Sequence, residues 1–202
     1  MPNYLKEALH KFQHPKPPCP QNPPHAWKSP AYGAKIQYVD DANHSPLLPR
    51  NSIHLMQQIV GTLIYYAISV DPTMFIALGT LSSQQYKVTK KAYNETLWLL
   101  NYVDSNSDAT IQYTASDMIL YVRSNALYLS SPRACSRDGG HYFLCDRLPD
   151  PKKPPITRPG FNGLIHTVSK SMYNVMGYDA KAKIGATYIN RQEAVPIRTL
   201  LR

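Results

Sequence analysis

The segment MILYVRSNALYLSSPRACSRDGGHYFLC, residues 118–145, decides how the second half of this chain folds. Ile, Leu, Tyr and Val alternate with polar residues along its first part, the period of a half-buried strand. HYFLC at 141–145 reads as a second strand, and the glycines at 139 and 140 as the hairpin turn between the two. Asn125, a neutral amide, stands where the first strand leaves its apolar run.

Working outward, the first strand is expected within TIQYTASDMILYV (110–122) and a third in GLIHTVS (163–169), after a proline-rich loop. Residues 178–202, YDAKAKIGATYINRQEAVPIRTLLR, return to a helical pattern that Pro196 is expected to interrupt or restart.

Upstream the texture is helical. Ile53, Met56, Val60, Leu63, Ile64 and Ala67 recur on one helical face, so a helix starts near Ser52. Asp71 before Pro72 is a start signal for the next, with Met74, Ala77, Leu78 and Leu81 as its buried stripe. A third helix begins near Thr89 and buries Ala92, Leu99, Leu100 and Val103. Tyr65, Tyr66, Tyr93 and Trp98 read as packing residues of this small bundle rather than as a base-stacking platform.

Of the 18 prolines, 10 fall in residues 1–50, so a short helix over 3–13 is followed by an extended linker or a strap across a surface. The predicted organisation is thus a helix and linker over 1–51, helices over 52–104 and an α+β segment over 105–202.

The net charge is +9, and residues 147–202 hold ten Lys or Arg against three acids, a surplus that suggests a polyanionic partner. The three cysteines have no metal-binding spacing and read as reduced thiols of an intracellular protein. The seven histidines show no zinc pattern, Ser136 is not in a nucleophile elbow, and no polymerase active-site motif is present. Residues 1–20 carry Pro, Lys and His where a signal peptide would be apolar. The most apolar window, 55–70, contains Gln57 and Gln58 and is too short to span a bilayer, so no membrane role is expected.

Four strings, QQIVGTLIYYAISVDPTM (57–74), YTASDMILYVRSNALYL (113–129), SRDGGHYFLCD (136–146) and NRQEAVPIRTLL (190–201), occur in an order and spacing that resembles the pol polyprotein of copia-type retroelements. YLKEALHKFQH (4–14) is similar to the tail of the polymerase thumb. The resemblance covers nearly the whole chain and runs from the end of the reverse transcriptase, through connecting helices, into a truncated ribonuclease H domain. It implies an α+β fold in which the helical connection segment is followed by a partial, mostly antiparallel ribonuclease H-like sheet with one helix.

Ribonuclease H domains cut the RNA strand of an RNA–DNA hybrid with two divalent metals, held roughly 3.5–4 Å apart by carboxylates. The family places the first carboxylate, an Asp, in a string like SDASYL; SNALYL here puts Asn125 at that position. The second, a Glu, lies in a string like AEAEIGAL; DAKAKIGAT here puts Lys181 and Lys183 at the two Glu positions, Lys183 at the metal-binding one. The remaining ligands would lie beyond Arg202. An amide and an ammonium oppose a dication, so the resemblance implies an ancestral magnesium site that has been lost. Asp117, eight strand residues or roughly 26 Å from Asn125, is out of reach as a replacement. Asp179 is expected to pair with Lys183 at i,i+4.

Three functions are compatible with these strings. One is an inactive reverse transcriptase/ribonuclease H fragment retaining weak binding to RNA–DNA hybrid or duplex, through candidates Lys170, Lys181, Lys183 and Arg191. Another is a protein-interaction module that pairs a partner at an open sheet edge. The third is an active hybrid nuclease completed by another chain, which Lys183 disfavours.

Overall fold

A computed structural model describes residues 1, 3–26, 45–131, 135–146 and 162–201. The fold is α+β, with four N-terminal helices, a three-stranded antiparallel sheet and a C-terminal helix among the described residues. It splits into two compact units, the described residues up to Thr110 in one and those from Ile111 in the other.

The first unit contains α1 (Tyr4–Lys11), α2 (Arg50–Ser69), α3 (Phe75–Gln84) and α4 (Lys90–Ser105). Each presents its apolar stripe to one core: Leu5 and Leu9 from α1, Met56, Val60 and Leu63 from α2, Leu78 and Leu81 from α3, and Leu99, Leu100 and Val103 from α4. Burying such side chains stabilises the unit by about 1.5–3 kcal/mol each before chain entropy is counted. Asp71 caps a short 3-10 turn, Pro72–Met74, that leads into α3, and Thr89 caps α4 by accepting the Ala92 N–H at 3.2 Å. The polyproline-like strap lies along α4: Ser105 Oγ accepts the Gln21 N–H at 2.9 Å, and the Trp98 indole N–H donates to the Pro23 carbonyl at 3.0 Å.

The second unit is the sheet β1 (Ile119–Ser131), β2 (Cys135–Cys145), β3 (Leu164–Met172) in the order β1-β2-β3, with α5 (Asp179–Leu200) packed on β1 and β2. Its arrangement corrects three expectations. Gly139 and Gly140 are not a turn; they sit inside β2, opposite Asn125 and Ser124 on one side and Ser169 and Val168 on the other. The glycine is required there because a β-carbon at 140 would overlap the Asn190 side chain of α5.

The first strand also begins later and runs further than alternation suggested. Before Ile119 the chain meets the start of β3 through side chains, with Asn162 Oδ1 accepting the Thr114 N–H at 2.8 Å, rather than through a ladder. Lastly, α5 continues through Pro196. The ring removes one N–H, but Gln192 and Pro196 are both exposed, so water satisfies the carbonyl left over.

Candidate functional site

Strand parity assigns every sheet residue to a face. Ser124 and Ala126 on β1, Ser136, Asp138, Gly140 and Tyr142 on β2, and Val168, Lys170 and Met172 on β3 are in cross-strand register and face α5. Buried apolar contact between helix and sheet is small, consisting of Ala126, Met172, Ala182 and Ala186 with Tyr128, Met176 and Ile189 beside them. These alanines leave the helix close enough for polar contacts to bridge the two layers.

Asn190 is the centre of those contacts. Its Nδ2 lies 2.9 Å from Ser124 Oγ, 2.8 Å from Asp138 Oδ1, 3.2 Å from the Gly139 carbonyl and 2.9 Å from the Ala186 carbonyl. Its Oδ1 accepts the Tyr142 hydroxyl at 2.9 Å. Two amide protons shared among four acceptors fix the side chain in place. Asp138 is fully buried and its Oδ2 has no hydrogen-bond partner. Burial pushes its carboxyl up to about 6, against the Asn190 hydrogen bond and the Lys170 charge, which act to lower it. Burial likewise pushes the Tyr142 hydroxyl up to about 12. With Asp138 and Tyr142 at 0% exposure and Asn190 at 1%, these three side chains are shielded from solvent and serve as a polar anchor for α5, with the exposed Ser124 at its edge.

The residues singled out by sequence lie elsewhere. Asn125 is exposed on the opposite face of the sheet, turned away from α5. Lys183 is exposed on α5, and its ammonium contacts Asp179 at 2.7 Å as the i,i+4 spacing requires. The two positions that the resemblance places at one metal pair are therefore separated by the sheet, a departure from the family arrangement, and an amide and an ion-paired ammonium do not fit a dication site. Among the described residues no group of three or more His, Cys, Asp and Glu side chains comes together.

Two of the four candidate cations, Lys170 and Lys183, are ion-paired. Lys170 on β3 bridges to Glu193 of α5 at 2.6 Å, which holds the Glu193 carboxyl below its usual range. Lys181 lies over the Tyr178 ring at 5.1 Å, and Arg191 is exposed on α5. Sequence reasoning missed Asp138, Tyr142 and Asn190. One signal was present, a helical stripe of small residues, Ala182 and Ala186, ending four residues on in an amide.

Cys19 is exposed, Cys135 half-buried and Cys145 buried. No helix among the described residues is long and apolar enough to cross a membrane. Compared with known proteins, the chain matches no family model, no curated protein and no solved structure.

Proposed function

We propose that this chain is a retroelement-derived module, the connection segment and first half of a ribonuclease H-like domain, which no longer cleaves and retains electrostatic binding to RNA–DNA hybrid or duplex. The observation that carries the reading is the pair of substituted positions. Asn125 and Lys183 stand where the family's strings place an Asp and a Glu, and they lie on opposite sides of the sheet with Lys183 committed to Asp179. The basic surplus of residues 147–202 supports a polyanionic partner, with Lys181 and Arg191 the two of the four candidate cations that form no ion pair among the described residues.

The test is a fluorescence-anisotropy titration of a labelled hybrid at several salt concentrations, beside a cleavage assay with magnesium and with manganese. Binding should weaken linearly in log–log form, and Lys181→Ala with Arg191→Ala should reduce the slope by about 2. Cleavage by the unmodified chain overturns the loss of activity. A salt-independent affinity, or none at low salt, overturns nucleic-acid binding and leaves the edge-pairing interaction module.

A further inference from the structure

The helical unit holds a cavity of about 390 Å³ beside the first two turns of α4. Lys91, Asn94, Glu95 and Trp98 line it from i, i+3, i+4 and i+7, one face of the helix, while Ala92, Thr96, Leu99 and Leu100 turn to the core. His25 of the strap and Lys90 complete the charged part of the wall. The size falls within the roughly 300–1,000 Å³ of small-molecule sites, and the lining has their character, largely apolar with a few convergent polar groups.

Two of those groups lack partners. The buried His25 Nδ1 has no hydrogen bond. The half-buried Glu95 carboxylate forms no hydrogen bond or ion pair among the described residues, and senses Lys91 and His25 only as neighbouring charges. Glu95 also borders an adjoining recess of about 120 Å³ walled by Ile76, Ala77, Thr80 and Leu81, and burial raises its carboxyl pKa. A desolvated, unpartnered acid in a cleft is the signature of a binding group. Trp98, expected from sequence to pack in the bundle, stands outside its apolar core and adds a flat wall whose orientation is fixed by its indole N–H bond to the Pro23 carbonyl at 3.0 Å.

We propose that this cavity binds a guanine nucleotide, with the base against Trp98, its N1–H and N2–H donated to the Glu95 carboxylate, and the phosphate held by Lys90 and Lys91. An ionised carboxylate only accepts hydrogen bonds, so it selects the base that offers two adjacent donors on one edge. Guanine does so; adenine and cytosine set an acceptor beside their amino donor, and uracil flanks its single N–H with two carbonyls, each of which would repel Glu95. Lys90 and Lys91, at the start of α4, supply two cations in a region where the helix dipole also favours an anion. The site is independent of hybrid binding by the sheet unit, because it lies wholly in the helical unit.

Calorimetric titration of the full chain with the monophosphates of guanosine, adenosine, cytidine and uridine tests the base assignment. Guanosine monophosphate should bind about tenfold or more tightly than the others, and Glu95→Gln should weaken it by about 10- to 100-fold. Lys90→Ala with Lys91→Ala should erase the preference for guanosine monophosphate over guanosine. A single-stranded oligouridylate carrying one guanine separates the sources: tighter binding than the free nucleotide assigns the ligand to a strand, and weaker binding assigns it to the free nucleotide. Equal affinity for all four monophosphates, no binding at millimolar concentration, or Glu95→Gln binding like the unmodified chain overturns the proposal. Circular-dichroism melting of each variant verifies the fold, and the monophosphate panel on the unmodified chain decides the matter without any variant.

Discussion

Gly140 of β2 lies directly beneath Asn190 of α5, so closely that any β-carbon at position 140 would occupy the space of the asparagine amide. The bare backbone at 140 is what lets Asn190 reach Ser124, Asp138 and Tyr142 at once.

Gly140→Ala should therefore displace α5 and destabilise the sheet unit by about 2–4 kcal/mol, through overpacking and the loss of buried hydrogen bonds. Gly139→Ala is the control, because a β-carbon there meets only the Asn125 carbonyl, at 3.8 Å. Urea unfolding followed through sheet signals should separate the two; equal stabilities would refute the close approach.

The buried Asp138 makes stability depend on pH. Its carboxyl sits at about 6 in the folded chain against an ordinary 3.8, chiefly through burial, so the folded state binds the proton more tightly. Stability from this group is thus fully present below about pH 4, falls as pH rises to about 6 and is flat above, an effect of up to about 3 kcal/mol. Glu193, held low by Lys170, and His141, lowered by burial, act in the opposite sense. The quantity to measure is the difference between the chain and Asp138→Asn, by urea unfolding between pH 4 and 7. A difference that does not change with pH would show that folding leaves the Asp138 carboxyl at its ordinary value.

In the helical unit Asp71 accepts the Thr73 N–H at 3.1 Å, the Thr73 hydroxyl at 2.6 Å and the Tyr102 hydroxyl at 2.8 Å. Asp71→Ala removes the acceptor for all three in a nearly solvent-free place and should cost about 2–4 kcal/mol. Tyr102→Phe should cost less, about 1–2 kcal/mol, and a double-mutant cycle should return a coupling above about 0.5 kcal/mol. Additive losses would mean that the two groups do not share a bond.

On the proposed retroelement reading, placing acids at positions 125 and 183 should not produce cleavage. In the double variant Asn125→Asp, Lys183→Glu the new carboxylates stand on opposite faces of the sheet, and Glu at 183 would face Asp179 in place of the present ion pair. Incubation of a labelled hybrid with magnesium or manganese should leave it intact, and specific cleavage by this variant would require the two positions to converge.

The helices were legible because their information is local. Apolar spacing located the faces of α2, α3 and α4, and Asp71 and Thr89 were visible as caps because capping is settled within three residues. The sheet was legible in kind but not in extent. Gly139-Gly140 has the composition of a turn, and only the crossing of α5 over position 140, fifty residues away in sequence, explains glycine in mid-strand. Asp138 and Asn190 were invisible for the same reason: each is an ordinary polar residue until the other is placed against it. Pro196 misled because the cost of a missing N–H depends on whether water reaches the carbonyl, which no local rule states.

Among the described residues, the helical unit buries eighteen apolar side chains in its core, whereas four, two of them alanines of α5, join helix to sheet in the other. The hydrophobic driving force on the two sides is correspondingly unequal. On placing the protein in heavy water, amides of α5 should take up deuterium well before those in the middle of α2, so that isotope uptake divides the chain near residue 110 while both parts remain folded.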